Sequence, residues 1–340
     1  MFEQDLKKSI KDIKKEVDPV IEILLSNKIA LKFQKIINYQ MQSGGKRLRP
    51  ALAVLSCRML KGKMDDVIYP AAGLEILHNY TLIIDDIIDN GNLRRGKKTT
   101  RAKYGQSIAN LISQAYAVSI FEAVSHSKDP LKILDVFSET LKKITEGQFL
   151  DILLERKGRE KEEYVQKNRI QHITKTKYLE MISKKTAFLF QACCEVGGIC
   201  AFAERKDIKS LKEFGFNLGI AFQIQDDILD MFGEEKDFGK KIGKDIEERK
   251  GGNIIILFAL KEMHQEDKKT VLNVMAKTRI NKRDVEKIMK LISQTKAKEK
   301  ALKLRQEYYN KAKKYLNVLP RNQYNRTLEN LAEFVVERKK

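Results

Sequence analysis

The chain has 340 residues, with 66 Lys or Arg against 46 Asp or Glu, a formal net charge of +20, and only 5 Pro and 18 Gly. Because no alternation of β-branched residues is sustained between turn signals, this composition predicts an all-α protein. The basic residues are spread along the whole chain, so we favour a Lys-rich solvated surface, which also attracts anionic substrates, over nucleic-acid binding. No uninterrupted apolar run approaches the roughly 18 residues that span a bilayer, and Met1–Asp5 is not a secretory signal, which predicts a cytoplasmic protein that is not integral to a membrane.

Two predicted helices lead to a basic motif. Apolar residues recur at steps of three and four from about Gln4 to Leu25, and a second helix runs from about Lys28 to Met41 and ends at Ser43-Gly44-Gly45. Lys46-Arg47-Leu48-Arg49-Pro50 then places three cations directly before a helix that Pro50 starts. Positive side chains at a helix N-terminus oppose the helix dipole unless an anion lies there, so this motif favours a phosphate site over a solvated turn.

An acidic triplet closes the next predicted helix, which runs from about Ala71 to Asp89. Asp85, Asp86 and Asp89 stand among apolar residues, and at about 100° per residue they share one face of the helix. Carboxylates crowded in this way need a cation, and a divalent metal is the obvious candidate because hard cations prefer oxygen ligands.

A second triplet repeats this spacing about 140 residues downstream, where Asp226, Asp227 and Asp230 lie on a predicted helix from about Leu211 to Phe232. A single acidic triplet is more often a solvated helix face. Two copies with the same spacing and the same apolar setting favour a metal site instead.

Each triplet is followed by a basic turn, Leu93–Thr100 after the first and Gly239–Asp245 after the second. Metal on carboxylates with cationic side chains beside it can hold a diphosphate, since Arg offers a bidentate fork to phosphate oxygens. The simpler alternative for Arg94 or Arg95 is an ion pair with Asp89.

The rest of the chain is predicted to connect and support these motifs. Further helices are predicted near Ser107–Ser125 and Pro130–Leu154, and Thr176 is predicted to cap another. The charged connector from Glu155 to about Lys175 is predicted to be solvated and is assigned no function. Asn253–Lys340 is predicted to form four amphipathic helices that carry no chemistry.

The order of the motifs resembles that of the trans-isoprenyl diphosphate synthases of the polyprenyl synthetase family. The resemblance covers roughly residues 40–255 and rests on GGKRLRP from Gly44, Glu75 with His78, DDIID from Asp85 with RRG from Arg94, KT at Lys185 and Thr186, FQIQDDILD from Phe222, and GKKIGKD from Gly239. The chain departs from the family pattern at Ile84, where many members have His. It departs again at Gly251-Gly252-Asn253, where a Thr commonly follows Lys250, which leaves open whether that lysine participates.

The resemblance implies one isoprenoid-synthase domain over residues 1–340, usually a homodimer, in which antiparallel helices surround a deep central cavity and residues 256–340 are scaffold. The two triplets would face each other across the mouth of this cavity. About three Mg²⁺ would be bound by Asp85, Asp89 and Asp226, with Asp86, Asp227 and Asp230 in support. The allylic diphosphate would be held by Arg94, Lys185 and Lys240, with Lys250 as a further candidate, and isopentenyl diphosphate by Lys46, Arg49, His78 and Arg95. Thr186 and Gln223 would stabilise the developing allylic cation.

The implied reaction is a Mg²⁺-dependent condensation of isopentenyl diphosphate with dimethylallyl, geranyl or farnesyl diphosphate, by ionisation, condensation and elimination. Released pyrophosphate can accept the final proton, which fits the absence of a Ser-His-Asp or similar acid/base arrangement. A class I terpene cyclase is disfavoured because the chain has two triplets and a motif for a second diphosphate. A non-catalytic subunit of a heteromeric synthase typically loses triplet aspartates, and this chain has all six.

Product length is predicted from the residues just before the first triplet. Tyr80, five residues before Asp85, would form a floor to the cavity, while Thr81 beside it is small. This pattern resembles archaeal C20 producers, so we expect geranylgeranyl diphosphate, with a C15 product or one of C25 and above as alternatives. The alternative role for Tyr80 is simple packing against a neighbouring helix.

Overall fold

The computed structural model describes residues 2–233 and 242–337, and it confirms the predicted all-α class. The first half of the chain contains α1 (Phe2–Ser26), α2 (Leu31–Gln42), α3 (Leu48–Met59), α4 (Met64–Ile88), α5 (Thr100–Tyr104), α6 (Gln106–Ser125) and α7 (Pro130–Leu153). The second half contains α8 (Glu163–Asn168), α9 (Lys175–Ile182), a π-helical turn (Ser183–Ala187), α10 (Phe188–Cys200), α11 (Arg205–Phe232), α12 (Lys244–Glu247), α13 (Ile254–Glu262), α14 (Gln265–Met275), α15 (Lys282–Ser293), α16 (Ala297–Asn317) and α17 (Gln323–Glu337). Strands β1 (Leu93–Arg94) and β2 (Lys97–Lys98) pair antiparallel.

Several helix boundaries differ from the predictions. α4 begins before Pro70, which lies inside the helix, because burial of this segment outweighs the hydrogen bond that a proline removes. α3 begins at Leu48, so Pro50 occupies the first turn rather than the first position. Thr174, and not Thr176, caps α9 by accepting the Lys177 N–H. The described residues after Asn253 form five helices rather than four.

The helices belong to two compact units. Unit 1 comprises Met1–Leu141, Leu189–Phe216 and Ala312–Phe334, and unit 2 comprises Lys142–Phe188, Asn217–Lys311 and Val335–Lys340. The GGKRLRP motif and the first triplet are in unit 1, whereas the KT motif and the second triplet are in unit 2. The single domain and the facing of the two triplets stay predictions.

Helix α4 is the centre of the unit 1 core, and Val67, Ala71, Leu74 and Ile76 on it have no exposed surface. By length and composition, α4 is the one helix among the described residues that is long and apolar enough to cross a membrane. Its sequence contains no long uninterrupted apolar run, because acidic residues such as Glu75 divide the segment. Its burial within unit 1 is what the central helix of a packed core shows.

Candidate active site

The GGKRLRP motif places its middle cation in the protein core. Arg47 adopts a left-handed backbone conformation (φ 53°) at the start of α3, and its side chain is buried. Its Nε donates to Asp18 Oδ1 (2.6 Å) and its Nη1 to Glu75 Oε1 (3.2 Å). Burial opposes the charge of Arg47, but the two carboxylates raise its pKa. Arg47 is therefore a structural residue that joins the motif to α1 and α4.

The other two cations of the motif, Lys46 and Arg49, are the ones predicted to bind isopentenyl diphosphate. The Lys46 side chain is exposed, and its Nζ lies 5.1 Å from the ring centre of Phe334. Arg49 is half-buried, with its guanidinium carbon 5.1 Å from the ring centre of Phe190. Both distances allow cation–π attraction, which helps to fix the two side chains.

His78 lies on α4 in the field of several arginines, including Arg49 and Arg95. Burial, together with the charges of Arg49 and Arg95, lowers the pKa of His78 well below its ordinary value. The imidazole is therefore neutral at physiological pH, with one nitrogen able to donate and the other to accept a hydrogen bond. Three of the four residues predicted to hold isopentenyl diphosphate thus share one electrostatic environment.

The first triplet is divided between one buried carboxylate and two half-buried ones. Asp86 is buried, and it accepts from Arg94 Nε (3.1 Å to each oxygen) and Nη2 (2.9 Å). Burial opposes the charge of Arg94, but these bonds raise its pKa. Asp85 and Asp89 are only half-buried. Arg94 forms an ion pair with Asp86, and the charges of Asp85 and Asp89 also raise the pKa of Arg94.

A short hairpin after α4 separates the two neighbouring arginines. Arg95 and Gly96 form the turn between β1 and β2 with positive φ at both positions (53° and 75°), as tight hairpin turns require. Arg94, at the end of β1, returns to Asp86, whereas Arg95 donates to the carbonyl of Gly44 in the GGKRLRP motif. The hairpin therefore directs Arg94, a predicted ligand of the allylic diphosphate, to Asp86, and Arg95, a predicted ligand of isopentenyl diphosphate, to the GGKRLRP motif.

The second triplet is also divided between buried and half-buried carboxylates. Asp227 is buried and accepts from the Ile254 N–H (2.9 Å) and from Gln223 Nε2 (3.1 Å). Asp230 is buried and accepts from the backbone N–H of Asp245 (3.2 Å). Burial and the neighbouring Asp245 raise the pKa of Asp227 well above its ordinary value. Asp226 is half-buried.

Two predicted diphosphate ligands, Lys185 and Lys250, meet on one carboxylate. Both Nζ atoms lie near Asp151 Oδ2, at 2.8 Å and 2.9 Å. Burial acts to raise the pKa of Asp151, but the two ammonium groups lower it. Asp151, which was not predicted as a site residue, gathers the two lysines 65 positions apart in sequence.

Lys185 and Thr186 lie in the π-helical turn between α9 and α10. Gly147 on α7 allows the close approach of this turn, because a Cβ there would lie 2.3 Å from the backbone nitrogen of Lys185. The Thr186 hydroxyl donates to Gln223 Oε1 (2.9 Å), so the two residues predicted to face the allylic cation are in contact. Gln223 is oriented in turn by its bond to Asp227.

The charged connector corrects a prediction. Glu155 is buried, bonds to Arg159 (2.8 Å) and lies 3.6 Å from Lys250 Nζ. Its backbone also pairs with Lys250 as an isolated β-bridge. The start of the connector is therefore packed against a predicted site lysine rather than solvated, a contact that the local charge pattern did not indicate because Lys250 is distant in sequence.

Three predicted residues remain. Tyr80 is half-buried on α4, and the hydroxyl of Thr81 donates to the carbonyl of His78 (2.8 Å), which turns it toward its own helix. Lys240 lies outside the described residues.

The donor chemistry of the triplets fits a divalent metal. Within residues 2–233 and 242–337, no three His, Cys, Asp or Glu side chains converge into a ready site. Mg²⁺ typically takes one or two carboxylates and completes its shell with water and substrate phosphate oxygens. The half-buried Asp85, Asp89 and Asp226 are oxygen donors of this kind. Asp85 is next to Asp86, which Arg94 neutralises, and Asp226 is next to Asp227, which the Ile254 N–H bonds.

An all-α fold with two aspartate triplets and clustered cations defines an isoprenoid synthase. The sequence model described as "Polyprenyl synthetase" matches residues 31–292. The chain belongs to the polyprenyl synthetase family, and it is a trans-prenyltransferase, as the motifs predicted.

Relatives and solved structures agree with this assignment. The geranylgeranyl diphosphate synthase of Saccharolobus solfataricus is 35% identical over 88% of each chain. The geranylgeranyl pyrophosphate synthetase structure from Pyrococcus horikoshii superposes with a TM-score of 0.87 at 31% identity, covering 99% of this chain and 100% of that one. The structure of a polyprenyl synthase from Caulobacter crescentus, complexed with calcium and isoprenyl diphosphate, superposes with a TM-score of 0.89 at 27% identity. The match covers 98% of this chain and 97% of that one.

Proposed function

We propose that the chain condenses isopentenyl diphosphate with an allylic diphosphate in a Mg²⁺-dependent reaction whose product is geranylgeranyl diphosphate. The observation that supports this is the division within each triplet. Asp86 and Asp227 are buried and bonded to the protein, whereas Asp85, Asp89 and Asp226 retain exposed surface. Carboxylates that are held in place but still accessible suit a cation that arrives with its substrate.

Mg²⁺, about three ions with the allylic diphosphate, would be held by Asp85, Asp89 and Asp226. When bound, the metal neutralises charge on the departing pyrophosphate. The complex of the Caulobacter relative with calcium and isoprenyl diphosphate supports a divalent ion beside this kind of substrate.

Cationic side chains would bind the two substrates. Arg94, Lys185, Lys240 and Lys250 would contact the allylic diphosphate. Lys46, Arg49, His78 and Arg95 would contact isopentenyl diphosphate, with neutral His78 as a hydrogen-bonding group rather than a charge. Phosphate oxygens would replace part of the contact that Lys185 and Lys250 make with the Asp151 carboxylate.

In the reaction, the bond between the allylic carbon and its diphosphate oxygen breaks, and the isopentenyl double bond forms the new carbon–carbon bond. The hydroxyl oxygen of Thr186 and the amide oxygen of Gln223 would stabilise the developing cation, and their mutual hydrogen bond pre-orients them. A proton then leaves the condensed product, and pyrophosphate accepts it.

Tyr80 supports a C20 product. It is a half-buried aromatic residue on α4, the helix that ends in the first triplet. A product growing along this helix would meet the phenol ring, whereas Thr81 offers little bulk. The relatives from S. solfataricus and P. horikoshii carry names with the same product.

An exposed apolar stripe on α6 supports the expected homodimer. Ile108, Leu111, Val118 and Phe121 are all exposed, the last two by 64% and 60%, and at helical spacing they share one side of α6. Exposed apolar patches of this kind typically mark protein interfaces. We place the enzyme in the cytoplasm.

The test is an assay of purified protein with Mg²⁺, labelled isopentenyl diphosphate and each of the three allylic diphosphates in turn, with product length resolved by chromatography. We expect C20 product, and loss of activity when Asp85 is replaced by Ala or when Mg²⁺ is chelated. Absence of condensation with every primer would overturn the proposed activity, and a product of another length would overturn the C20 assignment alone.

A further inference from the structure

We propose that Asn253 is a positioning residue that fixes Asp227 and Asp230, the two buried carboxylates of the second triplet. The inference rests on the proposed function, because it concerns the site where Mg²⁺ and diphosphate would bind. Asn253 stands in the segment where the chain departs from the family pattern. Its side chain has no exposed surface and uses both ends of its amide.

The amide oxygen of Asn253 caps helix α13. It accepts from the N–H groups of Ile255 (2.9 Å) and Ile256 (3.3 Å), which have no partner within the helix. The cap sets where α13 begins and therefore where the Ile254 N–H points. That N–H donates to Asp227 Oδ2 at 2.9 Å.

The amide nitrogen of Asn253 fixes the side chain of Asp245. It donates to Asp245 Oδ2 at 2.7 Å, and the backbone N–H of Asp245 donates to Asp230 Oδ2 at 3.2 Å. One side chain thus fixes the two backbone donors that reach Asp227 and Asp230. Through Gln223, the same network extends to Thr186.

The residues before Asn253 keep this segment close to the rest of unit 2. A Cβ at Gly251 would lie 2.3 Å from the carbonyl oxygen of Leu154, so only glycine fits where the chain passes the connector. Lys250, on the other side of this contact, is held by Asp151. In the Gly251-Gly252-Asn253 sequence, Gly251 allows the chain to pass close to Leu154, and Asn253 provides the buried cap of α13.

The consequence is that Asn253 controls the affinity of the second triplet for metal without touching the metal. Residues that orient metal ligands from behind typically change metal affinity by about 10- to 100-fold when they are removed. We therefore expect Asn253→Ala to raise the Mg²⁺ concentration required for half-maximal binding of inorganic pyrophosphate about 10-fold. The measurement is isothermal titration calorimetry of the whole chain with pyrophosphate at a series of Mg²⁺ concentrations.

Two further variants separate positioning from stability. Asn281→Ala removes the corresponding cap of α15, where Asn281 accepts the Asp284 N–H at 3.0 Å. It should lower the melting temperature without altering the Mg²⁺ dependence. Asn253→Ser keeps a capping oxygen but loses the donor to Asp245. We expect it to raise the required Mg²⁺ concentration by less than Asn253→Ala does. If Asn253→Ala does not fold, Asn253→Ser tests the positioning role in its place.

Each outcome has a distinct meaning. A folded Asn253 variant with the Mg²⁺ dependence of wild type would overturn the positioning role and leave the proposed function intact. An equal shift in Asn281→Ala would show a general effect of lost stability and would also overturn it. Absence of Mg²⁺-dependent pyrophosphate binding by the wild-type chain would overturn the proposed function together with the inference.

Discussion

Arg47 and Glu75 form an ion pair inside unit 1, with Nη1 3.2 Å from Oε1 and with 5% and 2% of the two side chains exposed. Asp18 accepts from the other side of the same guanidinium. A buried pair of this kind contributes to stability only while both partners are present, because the survivor would be left charged in an apolar interior.

Removing one partner should therefore be strongly destabilising. We expect Arg47→Ala, which leaves the buried Glu75 without the guanidinium that compensates its charge, to lower the free energy of unfolding by about 3 kcal/mol, measured by urea denaturation. Lys132→Ala, which removes an exposed partner of Asp129, should change it by less than about 1 kcal/mol. Similar losses in the two variants would contradict the structural role of the buried pair.

Asp151 should make stability depend on pH in the acid range. Lys185 and Lys250 lower the pKa of Asp151 below the value of about 3.9 that an unfolded chain has. Its charge therefore stabilises the folded state above pH ~4, and this contribution is lost as the pH falls toward the folded-state pKa.

The comparison uses Asp151→Asn, which lacks this titration. Between pH 6 and pH 3 the wild-type free energy of unfolding should fall more steeply than that of the variant. The variant is less stable at pH 7 because the buried Lys250 and the half-buried Lys185 lose their counter-charge. Urea denaturation at several pH values measures both curves. Parallel curves would show that the carboxylate does not carry the stabilising charge.

His78 should affect substrate affinity without affecting its pH dependence. If the neutral imidazole donates one hydrogen bond to isopentenyl diphosphate, His78→Asn should raise the KM for that substrate about tenfold. Because the pKa of His78 is well below its ordinary value, the change of KM between pH 6 and 8 should be the same in both proteins. A pH-dependent step that disappears in the variant would show that His78 is charged in this range.

Tyr80 should limit product length. With geranyl diphosphate as primer, Tyr80→Ala should shift the product distribution beyond C20, and Thr81→Phe should shift it toward C15 by adding bulk at the next position of α4. Tyr164→Ala removes a tyrosine that is 72% exposed and should leave the distribution unchanged. Unaltered products from both α4 variants would favour simple packing of Tyr80.

The sequence was sufficient for the elements and motifs whose signal is local. The spacing of Asp85, Asp86 and Asp89 showed that they share a helix face, but not that Asp86 is buried. That distinction depends on the hairpin that returns Arg94 to it. From the sequence, Arg47 could not be distinguished from Lys46 and Arg49 as a cation of the GGKRLRP motif. Its burial depends on Asp18 and Glu75, which lie 29 and 28 positions away.

Other site residues could not be predicted because their partners are far from them in sequence. Asp151 accepts from lysines 34 and 99 positions away, so nothing near it in sequence marks it as a site residue. Glu155 was grouped with a solvated charge run, yet its contact with Lys250 is non-local. Asn253 begins the segment that was predicted to carry no chemistry, and only the packing of its side chain shows which backbone donors it orients.

The π-helical turn at Ser183–Ala187 has a consequence for comparing this chain with its relatives. A widened turn carries successive side chains through a smaller angle, so the neighbours Lys185 and Thr186 can both reach site residues, Asp151 and Gln223. Loss of one residue from this turn would restore an ordinary helix and rotate one of the two away. Such a deletion would hardly alter the hydropathy pattern. A sequence alignment with a gap at this turn would still match the Lys185-Thr186 motif, although the two side chains would no longer reach Asp151 and Gln223 together.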